Sequence, residues 1–177
     1  MAFRMERALD PTDWRILAEL QADARLSFKE LGRRIHLSAP SVAERVRRLE
    51  DFGVLTGYHA RVDPGRTGYP LTAFLQMRCD RDRCLLKTSD TDDYPEVVEI
   101  HKLSGDFCAL VKVRATSMDH LEGVIEQLGL HGQMRTSIVL STQFEGRPVT
   151  APPGDYVRAS DSLGWASSPR PLGGAPE

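Results

Sequence analysis

Residues Leu26 to Gly53 read LSFKELGRRIHLSAPSVAERVRRLEDFG, and no other stretch of the chain restricts its fold so tightly. Ser27 followed by Glu30 has the spacing of a capping box, so a helix is expected to open at Phe28. Phe28, Leu31 and Ile35 recur at spacings of three and four and mark its apolar face. His36 and Leu37 leave room only for a short connection. Ser38 then offers an N-cap, and Pro40 suits a first helical turn, where a missing N–H costs no intrahelical bond. Val42, Val46 and Leu49 supply the next buried stripe. Two short amphipathic helices joined by a tight turn form a helix-turn-helix.

The flanks complete a module. Asp10, Pro11 and Asp13 give an N-cap, a proline at the first helical position and an acid three residues after the cap. Trp14, Leu17, Ala18 and Leu20 are the expected apolar face of that first helix. Gly53 stops the third helix, and Val54 to Val62, with Gly57 and Tyr58, reads as extended. Three helices with a β-ribbon behind them make a winged helix-turn-helix.

Charge gives this module a direction. From Arg25 to Arg48 the chain holds seven Lys/Arg (25, 29, 33, 34, 45, 47, 48) against two acids (Glu30, Glu44), a difference of plus five. The whole chain stands at minus two, but attraction to a phosphate backbone comes from the local patch and fades over a Debye length of roughly 8–10 Å. A helix in the major groove reads bases with its N-terminal residues and holds phosphates with flanking cations. Ala39, Pro40, Ser41 and Arg45 are therefore the candidates for bases. Arg33, Arg34, Arg47 and Arg48 are the candidates for phosphates, and Ser27 and Ser38 join the set at the two helix N-termini. By helix pattern alone, the same arginines equally fit a solvated surface.

After the ribbon the hydrophobic period changes to two. Leu71, Ala73, Leu75 and Met77 alternate with Thr72, Phe74, Gln76 and Arg78, as in a strand. Asp80 to Ser89 is expected as a short helix with Leu85 and Leu86 inward, and Thr91 to Pro95 as a loop. Val97 to Leu103 and Phe107 to Ala115 read as two strands joined at Ser104-Gly105-Asp106. Ser117 caps a helix with Met118, Leu121, Val124, Ile125 and Leu128 on one face, ended by Gly129 and Gly132. Arg135 to Thr142 reads as a fourth strand. The order βαββαβ is ferredoxin-like. It leaves one sheet face uncovered, a natural place for a symmetric dimer. The chain is thus read as α+β, with domains at residues 9–66 and 67–148. A Pro/Gly/Ser-rich tail at 149–177 is expected to be disordered.

Other chemistry finds little support in the spacing. No stretch approaches the ~20 apolar residues of a membrane span. Cys79, Cys84 and Cys108 form an odd set without a CxxC pair, which suits reduced thiols in a cytoplasm. The histidines at 36, 59, 101, 120 and 131 lack metal-ligand spacing. Asp90, Asp92 and Asp93 imitate only part of a calcium loop. Neither a catalytic triad nor a phosphate-cradling glycine loop is legible, so no metal, cofactor or enzymatic activity is expected.

The chain resembles the Lrp/AsnC, or feast/famine, family of regulators over roughly Leu9 to Arg147. The resemblance rests on Leu9-Asp10, Asp13, Ile16-Leu17, Arg25-Leu26-Ser27, Glu30-Leu31, Leu37-Ser38, Val42, Arg45, Arg48-Leu49-Glu50, Gly53-Val54-Leu55 and Gly57-Tyr58. In the second half it rests on Pro95-Glu96-Val97, Ser104-Gly105-Asp106 and Thr136 to Ser141. It implies transcriptional control through double-stranded DNA, tuned by a small molecule that is often an amino acid, and dimers that assemble into octamers. It also implies an effector site at Ser104, Gly105, Asp106, Phe107, Cys108, Thr136 and Ser141. Family members often carry Thr-Gly-x-Tyr-Asp in this hairpin. Here Phe107 takes the aromatic place and Cys108 the place of the acid, and a thiol holds an α-ammonium group poorly. An alternative on the same frame is an enzyme resembling the tetrapyrrole decarboxylases, which keep the fold without binding DNA.

Overall fold

Asp10 opens the first helix, α1 (Pro11–Ala22), with a full capping box. Its carboxylate accepts from Thr12 N and Asp13 N, and Asp13 in turn accepts from Asp10 N. The next helix, α2 (Phe28–Ile35), is capped by Ser27, whose hydroxyl accepts from Glu30 N at 3.2 Å. The expected return bond from Glu30 is not made. Its carboxylate turns instead to Arg33 and Arg34, because charge-assisted bonds to a guanidinium are stronger than one to a backbone N–H. His36 takes up left-handed backbone at φ 61°, and Leu37 N donates to Gly32 O at 2.9 Å. This return brings the chain so close to α2 that a Cβ at Gly32 would strike the Leu37 carbonyl. Ser38 then caps α3 (Ala39–Asp51), and Gly53 turns the chain at φ 65°.

The interior of this unit is Ile16, Leu17 and Leu20 from α1, Leu31 and Ile35 from α2, and Val42, Val46 and Leu49 from α3. Burying each such Leu, Ile or Val contributes about 1.5–3 kcal/mol. Ile16 takes the place expected of Ala18, which is exposed, since two residues along a helix reverse the facing. Phe28 is also largely exposed. The ribbon expected after α3 forms no ladder: among the described residues no strand precedes Leu71. Tyr58 to Asp63 are exposed and without regular secondary structure, as a strand signal without a pairing partner leaves them.

The structure is a computed structural model that describes residues 9–80, 82–88 and 91–152. The chain divides into two units, one with the residues up to Gly57 and those from Pro148 onward, the other Tyr58–Arg147. This division falls ahead of the expected 66/67 boundary. Val149 N donates to Gln21 Oε1 at 2.7 Å, so the start of the expected tail is tied to α1. The rest of that tail, from residue 153, lies outside the described residues. Among those described, no helix is long and apolar enough to cross a membrane.

The second unit runs β1 (Leu71–Cys79), α4 (Leu85–Thr88), β2 (Val97–Lys102), β3 (Ala109–Ala115), α5 (Met118–Gly129) and β4 (Gly132–Ile138). The sheet is antiparallel in the order β2-β3-β1-β4, as the βαββαβ reading requires. Ala73, Leu75, Met77, Ala109, Val111, Val113 and Ala115 face Leu85 of α4 and Leu121, Val124 and Leu128 of α5. Phe74, Gln76, Leu110 and Lys112 alternate onto the other sheet face. There Lys112 Nζ lies 5.9 Å from the Phe74 ring centroid and pairs with Glu99 at 3.0 Å and Glu145 at 3.2 Å. Glu99 is held below the usual carboxylate range by Lys112, whose own pKa is raised by Glu99.

Several boundaries move for physical reasons. The helix expected at 80–89 contracts to Leu85–Thr88, because Asp80 N is spent on His131 O and Arg83 N turns back to Asp80 O. Leu86 is consequently exposed. Met118 is exposed at the start of α5. β3 begins at Ala109 rather than Phe107. β4 spans 132–138 rather than 135–142, since its pairing with β1 runs from Cys79↔Gly132 to Ala73↔Ile138. Beyond that, Val139 N reaches Thr72 O, and Leu140 is almost wholly in solvent.

Candidate nucleic-acid interface and effector site

Helix α3 has two functional sides besides its buried one. Pro40, Glu44, Arg47 and Asp51 form an exposed ridge, at the spacings of three and four that keep residues on one face. Arg45 and Arg48 lie on the flank facing α1. Arg45 Nη1 donates to Asp10 Oδ2 and to Asp13 Oδ1, both at 2.7 Å. Arg48 Nη2 donates to both Asp13 oxygens, at 3.1 and 3.0 Å. Asp13 is 2% exposed, and a carboxylate so buried must be paired. The Arg45 guanidinium holds the Asp10 carboxyl below the usual range, and Asp10 and then Asp13 raise the pKa of Arg45. The base-reading role expected of Arg45 therefore competes with an anchoring one.

The other candidates sort in the same way. Ser38 Oγ and Ser41 Oγ lie 2.8 Å apart, and Ser38 also accepts from Ser41 N, so both hydroxyls serve the start of α3. Ala39 is half-buried beside them. Ser27 is spent on capping α2. Arg33 bonds Glu30, while Arg34 bonds both Glu30 and Glu19. Arg33 and then Arg34 pull the Glu30 carboxyl down to about 2. Of the seven cations counted from sequence, Arg33, Arg34, Arg45 and Arg48 have carboxylate partners. Among the described residues, Arg25, Lys29 and Arg47 have no ion pair. The sequence count missed this because Asp10, Asp13 and Glu19 reach the patch through space.

In the second unit the expected effector residues do not converge. Ser104, Gly105 and Asp106 form an exposed hairpin tip, with Gly105 at φ 107°. Phe107 folds toward Arg135, whose guanidinium carbon lies 5.8 Å from the ring centroid. Arg78 Nε donates to Asp106 O at 3.1 Å. Arg78, Phe107, Gln133, Met134 and Arg135 line a groove of about 260 Å³. Thr136 is opposite Leu75 and shares its helix-facing side, so it turns away from Arg135. Ser141 lies past the end of β4 and is exposed. Cys108 points inward, where its Sγ donates to Met77 O at 3.2 Å.

Residues 9–50 match the AsnC-type helix-turn-helix domain, and residues 72–149 match the Lrp/AsnC ligand binding domain. The uncharacterized HTH-type transcriptional regulator YezC of Bacillus subtilis (strain 168) is 39% identical over 134 residues, which cover 76% of this chain and 95% of that protein. The chain belongs to the Lrp/AsnC family of transcriptional regulators. Solved structures in this family share its architecture. B. subtilis LrpC is 32% identical with a TM-score of 0.74, covering 79% of this chain and 100% of that one. The feast or famine regulatory protein Rv3291c of M. tuberculosis, complexed with L-methionine, is 31% identical with a TM-score of 0.75, covering 81% and 100%.

One feature of this Lrp/AsnC chain escaped the sequence reading. Cys79, Cys84 and Cys108 come together with their sulfurs all within 4.8 Å of one another. Burial, then hydrogen bonding with Cys108 and Cys84, pushes the Cys79 thiol up to about 12. The inward parity of Cys79 with Ala73, Leu75 and Met77 was legible in the strand. The arrival of Cys84 and Cys108 beside it depends on a turn and on β1–β3 pairing, which spacing does not encode.

Proposed function

We propose that this chain is a sequence-specific DNA-binding regulator that acts in the cytoplasm as a homodimer or an octamer built from dimers. The observation that carries the DNA reading is the architecture of α3. Its inner flank is fixed to α1 by two carboxylates, and its outer ridge presents Pro40, Glu44 and Arg47 to solvent. A helix held in this way can enter a groove without reorganising, with Arg47 and Lys29 available for phosphates. Arg45 and Arg48 anchor the helix, and Ser38 and Ser41 set its start. Relatives named as transcriptional regulators support a non-enzymatic role.

The effector proposed for the second unit is a small molecule with a carboxylate, an amino acid being the leading class. Arg78 and Arg135 beside Phe107 supply cationic and aromatic surface suited to a carboxylate and an apolar side chain. The L-methionine complex of Rv3291c supports the class. Asp106, on the same hairpin, is exposed and lies 4.0 Å from Arg78 Nη2, a long contact that an α-ammonium group would have to share. The deciding experiment is fluorescence anisotropy of the full chain on fragments of its own genome, over a salt series and with a panel of amino acids. Salt-dependent binding with a preferred sequence, altered by one amino acid, is expected. Equal affinity for all fragments, or none for any, overturns the DNA reading. Unaltered binding across the panel overturns the amino-acid reading alone.

A further inference from the structure

Three thiols far apart in sequence meet at one end of the second unit. Cys79 is the last residue of β1, Cys84 immediately precedes α4, and Cys108 immediately precedes β3. No disulfide joins them, and each is half-buried. Two are held by the backbone. Cys108 N and Cys108 Sγ both donate to Met77 O, at 2.8 and 3.2 Å. Cys79 N contacts Cys108 Sγ at 3.1 Å. On its other side Cys79 pairs with Gly132, where the chains pass so closely that a Cβ would strike the Arg78 carbonyl and Cys79 Cα.

Isolated buried cysteines behave as small hydrophobes and pack wherever space is left. Here the sulfurs converge on one point. Metal–thiolate bonds of about 2.3 Å place sulfurs roughly 3.8–4.0 Å apart around a tetrahedral or trigonal ion. Sulfurs already within 4.8 Å of one another need to draw in by less than about 1 Å to reach that spacing. Among the described residues no carboxylate or imidazole joins the cluster, and an all-sulfur donor set selects soft ions over magnesium, calcium or manganese.

We propose that Cys79, Cys84 and Cys108 form a three-thiolate site for a soft metal ion, zinc(II) with an exogenous fourth ligand or trigonal copper(I). Binding releases the thiol protons and forms three metal–sulfur bonds, with no change in sulfur oxidation state. The ion would join the end of β1, the turn before α4 and the start of β3. Cys108 adjoins Phe107, so the bound ion would also stiffen the base of the Ser104–Asp106 hairpin.

The test uses the full chain, reduced and stripped of metal under anaerobic conditions. Zinc(II) and copper(I) are added in separate arms against a competing chelator, and bound ion and thiols open to a chromogenic disulfide reagent are counted. One ion per chain is expected in at least one arm, with all three thiols protected. Cys84→Ser should weaken that binding by more than about 100-fold, since even partners outside the ligand set cost about 10–100-fold. Circular dichroism checks that this variant folds. Thiols that stay reactive in both arms overturn the proposal on the wild-type chain alone, whatever the variant does. So does a folded Cys84→Ser chain that binds as tightly as wild type, or a chain that closes a disulfide in air and takes up neither ion when reduced.

Discussion

Arg45 Nη1 donates to Asp13 Oδ1 at 2.7 Å, linking the middle of α3 to the first turn of α1. Removing the acid takes the carboxylate from Arg48, leaves Arg45 with Asp10 alone and takes the reciprocal cap from α1. Asp13→Ala is expected to lower the stability of the helical unit by about 2–4 kcal/mol, from the lost charge-assisted bonds and the lost cap. Arg45→Ala should cost less, about 1–3 kcal/mol, because Arg48 still reaches Asp13. Urea denaturation followed by circular dichroism measures both. Changes within about 0.5 kcal/mol, as for ordinary surface substitutions, would refute the anchor.

Arg47 makes the opposite prediction. It sits on the exposed ridge, so Arg47→Ala should leave the denaturation midpoint nearly unchanged. It should weaken binding to all DNA sequences by a similar factor and reduce the salt slope by about 1, as expected for one lost phosphate contact. Anisotropy titrations at several salt concentrations read this directly. A slope equal to that of wild type would remove Arg47 from the interface.

Acid should loosen the helical unit through its paired carboxyls. The folded-state pKa of Asp10 lies below its ordinary 3.8, and that of Glu30 falls from 4.5 to about 2. The stability these groups contribute is therefore fully present above about pH 4.5. It is lost as pH falls through the folded values, toward about 2 for Glu30. Melting temperatures between pH 7 and pH 2 should show this acid limb, and Asp10→Asn should flatten its share of it. The Glu30 carboxylate reaches solvent, its side chain being 36% exposed, so added salt should shrink its share. A limb identical in the Asp10→Asn chain would contradict the assignment.

Gly32 is where the turn folds back on α2. Gly32→Ala would press a methyl against the Leu37 carbonyl, and overpacking of this kind costs about 1–3 kcal/mol. Because the strain falls on the turn that aims α3, DNA affinity should fall along with stability. Equal melting curves for Gly32→Ala and wild type would show that the turn has room to spare.

Arg135→Ala tests the groove beside the hairpin. It should abolish the effect of the active amino acid on DNA binding while leaving DNA affinity without effector unchanged. Isothermal titration with that amino acid, alongside anisotropy, separates the two. A retained effector response would move the ligand site away from Phe107 and Arg135.

The elements were legible because each carries a local signal. Val42, Val46 and Leu49 are a helical stripe by spacing, and Leu71 to Met77 alternate as a strand must. The differences come from interactions that the apolar period does not record. The anchoring of Arg45 was not visible beside its expected base-reading role, because Asp10 and Asp13 lie more than thirty positions away in sequence. Glu30 looked like half of a capping box until Arg33 and Arg34 competed for it. Thr136 was grouped with the hairpin, yet its register opposite Leu75 turns it to the other side of the sheet. Pairing register and through-space charge have no signature in the period of a sequence, so these assignments had to come from the fold.

The division of α3 into an anchored flank and an exposed ridge also bears on how the protein can change. Positions 40, 44 and 47 can be exchanged without disturbing the contacts that hold the helix, whereas positions 45 and 48 are committed to Asp13. A library randomised at 40 and 44 should therefore give many folded proteins with new operator preferences, while exchanges at 47 should change affinity for all sequences alike. One randomised at 45 and 48 should give mostly proteins that fail to fold. If the proposed reading holds, retargeting this regulator is a problem of two side chains rather than of a whole helix.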